Sequence, residues 1–96
     1  MIIRWLDLAV GDLQQVREYI KRDNPKAANK IAKKILEAVD CLKDHPGMGR
    51  SGRIHGTREL IIANTPYIVP YRMKDNQIEI LRVLHGSQMW PVQFPH

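Results

Sequence analysis

The chain of 96 residues has one cysteine, Cys41, so it cannot close an internal disulfide, and a reducing cytoplasm is the expected compartment. It has no run near the roughly 18 apolar residues of a membrane span, so no membrane partner is expected. Its opening, "MIIRWLDLAV", has Arg4 and Asp7 inside the would-be apolar region and is not expected to act as a secretion signal. One Cys and four scattered His offer no metal-ligand spacing, so no metal is expected. The glycine-rich stretch "PGMGRSGRIHGT" (46–57) lacks the Gly-Lys-Ser/Thr ending of a phosphate loop. Repeats and low-complexity tracts are absent. A chain this short is one domain, 1–96, with little room for a cofactor cavity, and no cofactor is expected.

Basic charge is what the sequence does have. The net charge is +5 and the pI about 9.7, which suits an anionic partner: RNA, DNA or an acidic protein segment. Residues 7–45 are nearly balanced, with 8 Lys/Arg against 7 Asp/Glu. Residues 46–96 carry 6 against 3, mostly arginine, whose planar fork suits phosphate and carboxylate. A plain solvated surface is the alternative reading.

"IIRW" (2–5) reads as a strand. Asp7 is placed to cap a helix with Ala9, Leu13, Val16 and Ile20 on one stripe, running to about Arg22. Asn24 and Pro25 restart the chain as a second helix burying Ile31, Ile35, Ala38 and Leu42. The joint is tight, so the helices form an antiparallel hairpin. Residues 46–57 read as a loop carrying Arg50, Arg53 and His55. "RELIIA", "YIVPYRM" and "QIEILRVLH" then form an antiparallel meander. Pro70 argues for an edge or a bulge in its strand. The last strand is apolar on both faces, with Ile78, Ile80 and Leu84 on one and Leu81 and Val83 on the other. A second cover is therefore expected, and the tail "MWPVQFP" is a candidate. The expected fold class is α+β, in the order β-α-α-β-β-β. The helical hairpin packs on one face of a small twisted antiparallel sheet.

Six blocks in order carry a family likeness: Trp5, Ala9, Asp12, Leu13, Val16, Tyr19 and Ile20; "NPKAA"; "P.MGR"; "G.REL"; "YIVPYR"; and "I.ILRVLHG". The chain resembles the RelE/ParE superfamily of toxins from type II toxin–antitoxin systems, nearer the ParE-like, plasmid-stabilisation branch. The resemblance implies a growth inhibitor neutralised by a cognate antitoxin protein. It implies operator DNA contact only through the antitoxin complex. The target implied is DNA gyrase for the ParE-like branch. For RelE-like members it is mRNA on the ribosome, and those members are endonucleases. A basic nucleic-acid-binding module without toxicity is a further alternative.

Cleavage of RNA by its 2′-hydroxyl needs a base, an acid and positive charge at the phosphate. His85, Arg58 and Arg82 are the candidates for such a site. Arg50, Arg53 and Arg72 are candidates for target binding. Against a nuclease, Ala63 stands where that branch usually has arginine, His85-Gly86 replaces its basic pair, and no terminal tyrosine follows. The other role for His85 is structural, holding the C-terminal corner. Arg82 lies in an apolar strand and needs a carboxylate or an open groove. Tyr67 and Tyr71 share a strand face and belong to the core. Leu8, Tyr19 and Leu36 lie off the core stripes and are candidates for antitoxin contact, or are isolated surface hydrophobes.

Overall fold

The computed structural model describes residues 1–94, so Pro95 of the expected covering tail lies outside them. β1 (Ile2–Trp5) leads into α1 (Asp7–Lys21). Asp7 is not the cap. Leu6 holds that position without a side-chain bond, and Asp7 is the first helical residue, where its charge favours the positive helix end. Ala9 is buried, and Leu13, Val16 and Ile20 pack beside it as expected. α2 (Pro25–Asp40) starts as read: the Asn24 side chain accepts the Ala27 N–H at 3.1 Å and Pro25 opens the helix. Its buried stripe is broader than expected. Ile35 is joined by Ala28, Ala32 and Val39, while Ile31 and Ala38 are only partly buried, and Leu42 is buried from the 3-10 turn Cys41–Lys43 just past the helix. Among the described residues no helix is long and apolar enough to cross a membrane.

The strands that follow are β2 (Arg50–Ser51), β3 (Arg58–Ile61), β4 (Tyr67–Lys74), β5 (Gln77–Ile80) and β6 (Leu84–His85). The sheet order is β1-β5-β4-β3-β2, with β6 also paired to β4. The α+β architecture and the β3-β4-β5 meander are as expected. Two details differ. β1 pairs β5 in parallel, with Ile3 opposite Ile78, so the sheet is mixed. A parallel pair needs a long crossover, and the hairpin, loop and meander between β1 and β5 supply it. Also, the 46–57 segment is not all loop, because β2 within it sets Arg50 opposite Glu59.

The meander contains a bulge. Tyr71 faces Ile80 while Ile68 faces Leu84. Residues 81–83 therefore oppose only 69–70, one residue in excess. Pro70 sits centrally, not on an edge strand, and the bulge is in the chain across from it. The alternation shifts by one, so Val83 joins Ile78 and Ile80 in the core and Leu84 does not. This corrects the expected grouping of Leu84 with Ile78 and Ile80.

The helices cover one face of the sheet. Tyr67, Val69 and Tyr71 pack there with Ile35, Val39 and Leu42, so both tyrosines are core, as read. Each large apolar side chain buried in this way contributes about 1.5–3 kcal/mol. On the other face Ile68, Pro70, Leu81 and Leu84 are buried. The tail folds back on the domain: Phe94 is buried, and Trp90 lies over the Arg53 guanidinium, 3.6 Å from its ring centre.

Candidate functional site

α1 and the β4–β6 end of the sheet leave a groove between them. It is an open cavity of about 620 Å³ lined by Asp12, Gln15, Val16, Tyr19 and Ile20 from α1, with Ile31 from α2. Tyr67, Arg82, Val83, His85 and Gln88 line the facing wall. Arg82 has its carboxylate. Its Nε donates to Asp12 Oδ2 at 2.6 Å and its Nη2 to Oδ1 at 3.1 Å. Asp12 Oδ2 also accepts the Val83 N–H at 2.9 Å. The hydrogen bond to Asp12, aided by that carboxylate's charge and opposed by burial, raises the pKa of Arg82. The guanidinium is thus a fixed tie between helix and bulge.

His85 stands at the groove mouth. Its Nδ1 accepts the Ser87 N–H at 3.1 Å and meets the Ser87 hydroxyl at 2.7 Å. A neutral ring in this setting carries its proton on Nε2. The His85 backbone N–H donates to Gln88 Oε1 at 2.6 Å, and the ring meets Tyr67 edge-on at 5.7 Å. These contacts hold the C-terminal corner. Nε2 has no hydrogen-bond partner among the described residues, and His85 as a whole is half-buried beside the groove. Burial first, then the neighbouring Tyr19, raises the pKa of Tyr67.

The face away from the helices carries two ionic clusters. Glu79 lies between Arg4 and Arg72 on adjacent strands, 3.6 Å from Arg4 and 2.8 Å from Arg72. Glu59 accepts from Arg50 Nη2 at 3.0 Å and lies 3.3 Å from Arg53 Nε. It also accepts the Arg53 backbone N–H at 2.8 Å. Burial pushes the Glu59 carboxyl up, but the Arg53 N–H, the Arg50 side chain and the charges of both arginines outweigh it. Its pKa lies below the ordinary value of 4.5. Among the described residues no group of three or more His, Cys, Asp or Glu is gathered as metal ligands would be.

A family profile described as the ParE toxin of the type II toxin–antitoxin system parDE matches residues 3–90. The chain belongs to the ParE toxin family. It is 46% identical over 89 residues to the putative toxin Y4kP of Sinorhizobium fredii, covering 93% of this chain and 92% of that one. It is 32% identical to toxin RelE2 of Caulobacter vibrioides, covering 88% and 94%. Its fold matches the chromosomal ParDE toxin–antitoxin system of P. aeruginosa, with a TM-score of 0.82 and 30% identity over 88% of this chain and 95% of that chain. It also matches the toxin–antitoxin complex RelBE2 of Mycobacterium tuberculosis, at TM-score 0.60 and 23% identity with the same coverage, a likeness of fold.

The residues expected to form the toxin's working site fall in three places. His85 and Arg82 share the groove. Arg50, Arg53 and Arg72 lie on the helix-free face, away from it. Arg58 is in neither: its Nη1 donates to the Gly49 carbonyl at 2.7 Å and the Gly47 carbonyl at 3.4 Å. The Tyr71 hydroxyl completes this clamp, accepting the Gly49 N–H at 2.9 Å and donating to the Pro46 carbonyl at 2.7 Å. Leu8, Tyr19 and Leu36 are all exposed but line different hollows. Leu8 lies beside Arg4 and Leu81, Leu36 beside Ile3, and Tyr19 in the groove. Sequence reading took Arg58 or Glu59 as a possible structural ion pair, which Glu59 forms, and passed over Glu79 and Arg4. The available signal was the placing of Glu79 within "QIEILRVL", since a carboxylate inside a buried strand demands cations.

Proposed function

We propose that this toxin arrests growth without catalysis, by binding and blocking DNA gyrase in the cytoplasm, and that a cognate antitoxin neutralises it. One observation carries this reading. All five candidate arginines are held by a carboxylate or by backbone carbonyls, and Arg58, Arg82 and His85 are not gathered at one point. A nuclease needs a base, an acid and its cations gathered about one phosphate. Membership of the ParE family supports gyrase as the target. The antitoxin contact is proposed at Leu8, Tyr19 and Leu36, with operator DNA reached only through the antitoxin complex. The test is purified toxin in a gyrase supercoiling assay, run beside induction in cells with DNA damage and translation followed separately. Loss of supercoiling and DNA damage before any fall in translation is the expected result. Translation arrest with supercoiling intact refutes it.

A second reading rests on the groove. His85, Tyr67 and Arg82 line one cavity, and His85 Nε2 has no hydrogen-bond partner among the described residues. That is a base or acid with a phenol and a cation nearby, the elements of a ribosome-dependent mRNA endonuclease. Arg82 would first have to leave Asp12. Codon-specific mRNA cuts, abolished by His85→Gln in a folded protein, would establish this reading.

A further inference from the structure

The two ionic clusters share a geometry that neither structure-holding nor the groove explains. In each, the carboxylate is underneath and guanidiniums lie outside it, Arg72 being the one largely covered, at 15% exposed. The side chains of Glu59 and Glu79 are 2% and 8% exposed, whereas those of Arg53, Arg50 and Arg4 are 45%, 55% and 62% exposed. Four arginines over two glutamates leave a net charge of +2, and solvent meets only the positive part.

The strand register fixes the spacing. Arg4 is on β1, Arg72 on β4 and Arg50 on β2, in the order β1-β5-β4-β3-β2. Strands lie about 4.8 Å apart, so the arginines step across ~19 Å of sheet, with Arg50 in line with Pro70 and so offset by two residues, ~7 Å, from the line of Arg4 and Arg72. Glu79 sits between Arg4 and Arg72 and holds both, and Glu59 holds Arg50 and Arg53. Lys74, two residues beyond Arg72, extends the same face.

We propose that this helix-free face binds the phosphate backbone of duplex DNA. One DNA strand carries a phosphate every ~3.4 Å of axis, so ~19 Å of fixed cations spans about five or six base pairs. A rigid cationic lattice suits a regular polyanion. A flexible acidic peptide would be met equally well by mobile lysines and needs no such lattice. The choice of DNA also rests in part on the gyrase reading, because gyrase works on DNA and a toxin blocking it there would meet the duplex. No base-edge contact is implied, so binding is independent of sequence.

The test is fluorescence anisotropy of the full-length toxin on a labelled 20-base-pair duplex at several salt concentrations, with no gyrase present. A Kd of about 10⁻⁴–10⁻⁶ M near physiological salt is expected, weakening as salt rises. Arg4→Gln/Arg50→Gln leaves Glu79 with Arg72 and Glu59 with Arg53, so no carboxylate is stranded. This variant should bind about tenfold more weakly at 50 mM salt, and its log–log salt slope should become shallower by about 2. Arg4→Gln alone, at the most exposed of these side chains, should flatten the slope by about 1 and serves if the double variant does not fold. Lys26→Gln/Lys30→Gln removes the same charge from exposed positions on α2 and should change affinity less than twofold. No binding at 50 mM salt, or an equal loss in the α2 variant, overturns the proposal. So does binding of a labelled oligoglutamate in place of the duplex, which would assign the face to an acidic protein. Because gyrase is absent, each of these failures leaves the gyrase reading to its own assay.

Discussion

Removing Asp12 should be the most damaging single change at the groove. The Arg82 and Asp12 side chains are 24% and 13% exposed, so the pair is largely shielded from water. Asp12→Ala strands two donors, the Arg82 guanidinium and the Val83 N–H. Breaking a fully buried pair costs roughly 3–5 kcal/mol, and partial exposure of the guanidinium puts this case at about 3. Such a domain has about 5–15 kcal/mol in all. At about 4–8 °C per kcal/mol, the midpoint should fall by roughly 12–25 °C. Arg82→Met is milder, about 2 kcal/mol, because Asp12 keeps the Val83 N–H. The double variant should cost about what Asp12→Ala costs, leaving a coupling of about 2 kcal/mol. Thermal unfolding of the four proteins by circular dichroism measures it. A pair this shielded should weaken little in 0.5 M salt. Additive losses, with coupling under about 0.5 kcal/mol, would refute the claim that Arg82 is a structural tie.

Three further outcomes are expected. His85→Gln should stay toxic at matched soluble expression and lose only about 0.5–1.5 kcal/mol, since a catalytic imidazole would cost about 10²–10⁴ in rate and a hydrogen bond does not; a folded, non-toxic variant refutes this. A Cβ at Gly49 would lie 2.7 Å from Tyr71 Cε1 and 2.9 Å from the Glu59 carbonyl, whereas at Gly11 it meets nothing within 4 Å. Gly49→Ala should therefore destabilise by about 1–3 kcal/mol in urea and Gly11→Ala stabilise by about 0.5–1 kcal/mol; reversal of that order would discount the loop clamp. The depressed pKa of Glu59 means that its stabilising effect is fully present above the unfolded value near 4.5 and is lost as pH falls through the lower folded value. Glu59→Gln should flatten the acid limb of the stability curve, and an unchanged limb would show that the cluster does not contribute.

Much of this was legible because local rules acted alone. Asn24-Pro25 starts α2 by capping and a fixed φ, and no distant residue competes. The 4-3-4 spacing of α1 gave its buried stripe for the same reason. The failures came where tertiary partners decide. Asp7 reads as a cap, yet the turn from β1 leaves Leu6 in that place. β2 is two residues long and exists because Glu59 pulls Arg50 and Arg53 onto β3, which no periodicity reveals. Four of the five candidate arginines meet carboxylates that only the fold brings to them, and Asp12 lies 70 residues from Arg82 in the chain.

The deepest misreading, the faces of the last strand, turns on one residue. Pro70 has no N–H to give to its neighbour, and opposite it the chain bulges. The Val83 N–H then bonds Asp12 on α1 instead of a strand carbonyl, and Arg82 joins the same carboxylate. Because side chains alternate with a period of two, the extra residue reverses every face beyond it. Without it, Leu84 would face Tyr67 and His85 would point to the helix-free side. With it, His85 pairs with Tyr67 and faces the groove. Asp12, Pro70 and Arg82 therefore act as one unit that aims His85, and the question of what His85 does is first a question about that bulge.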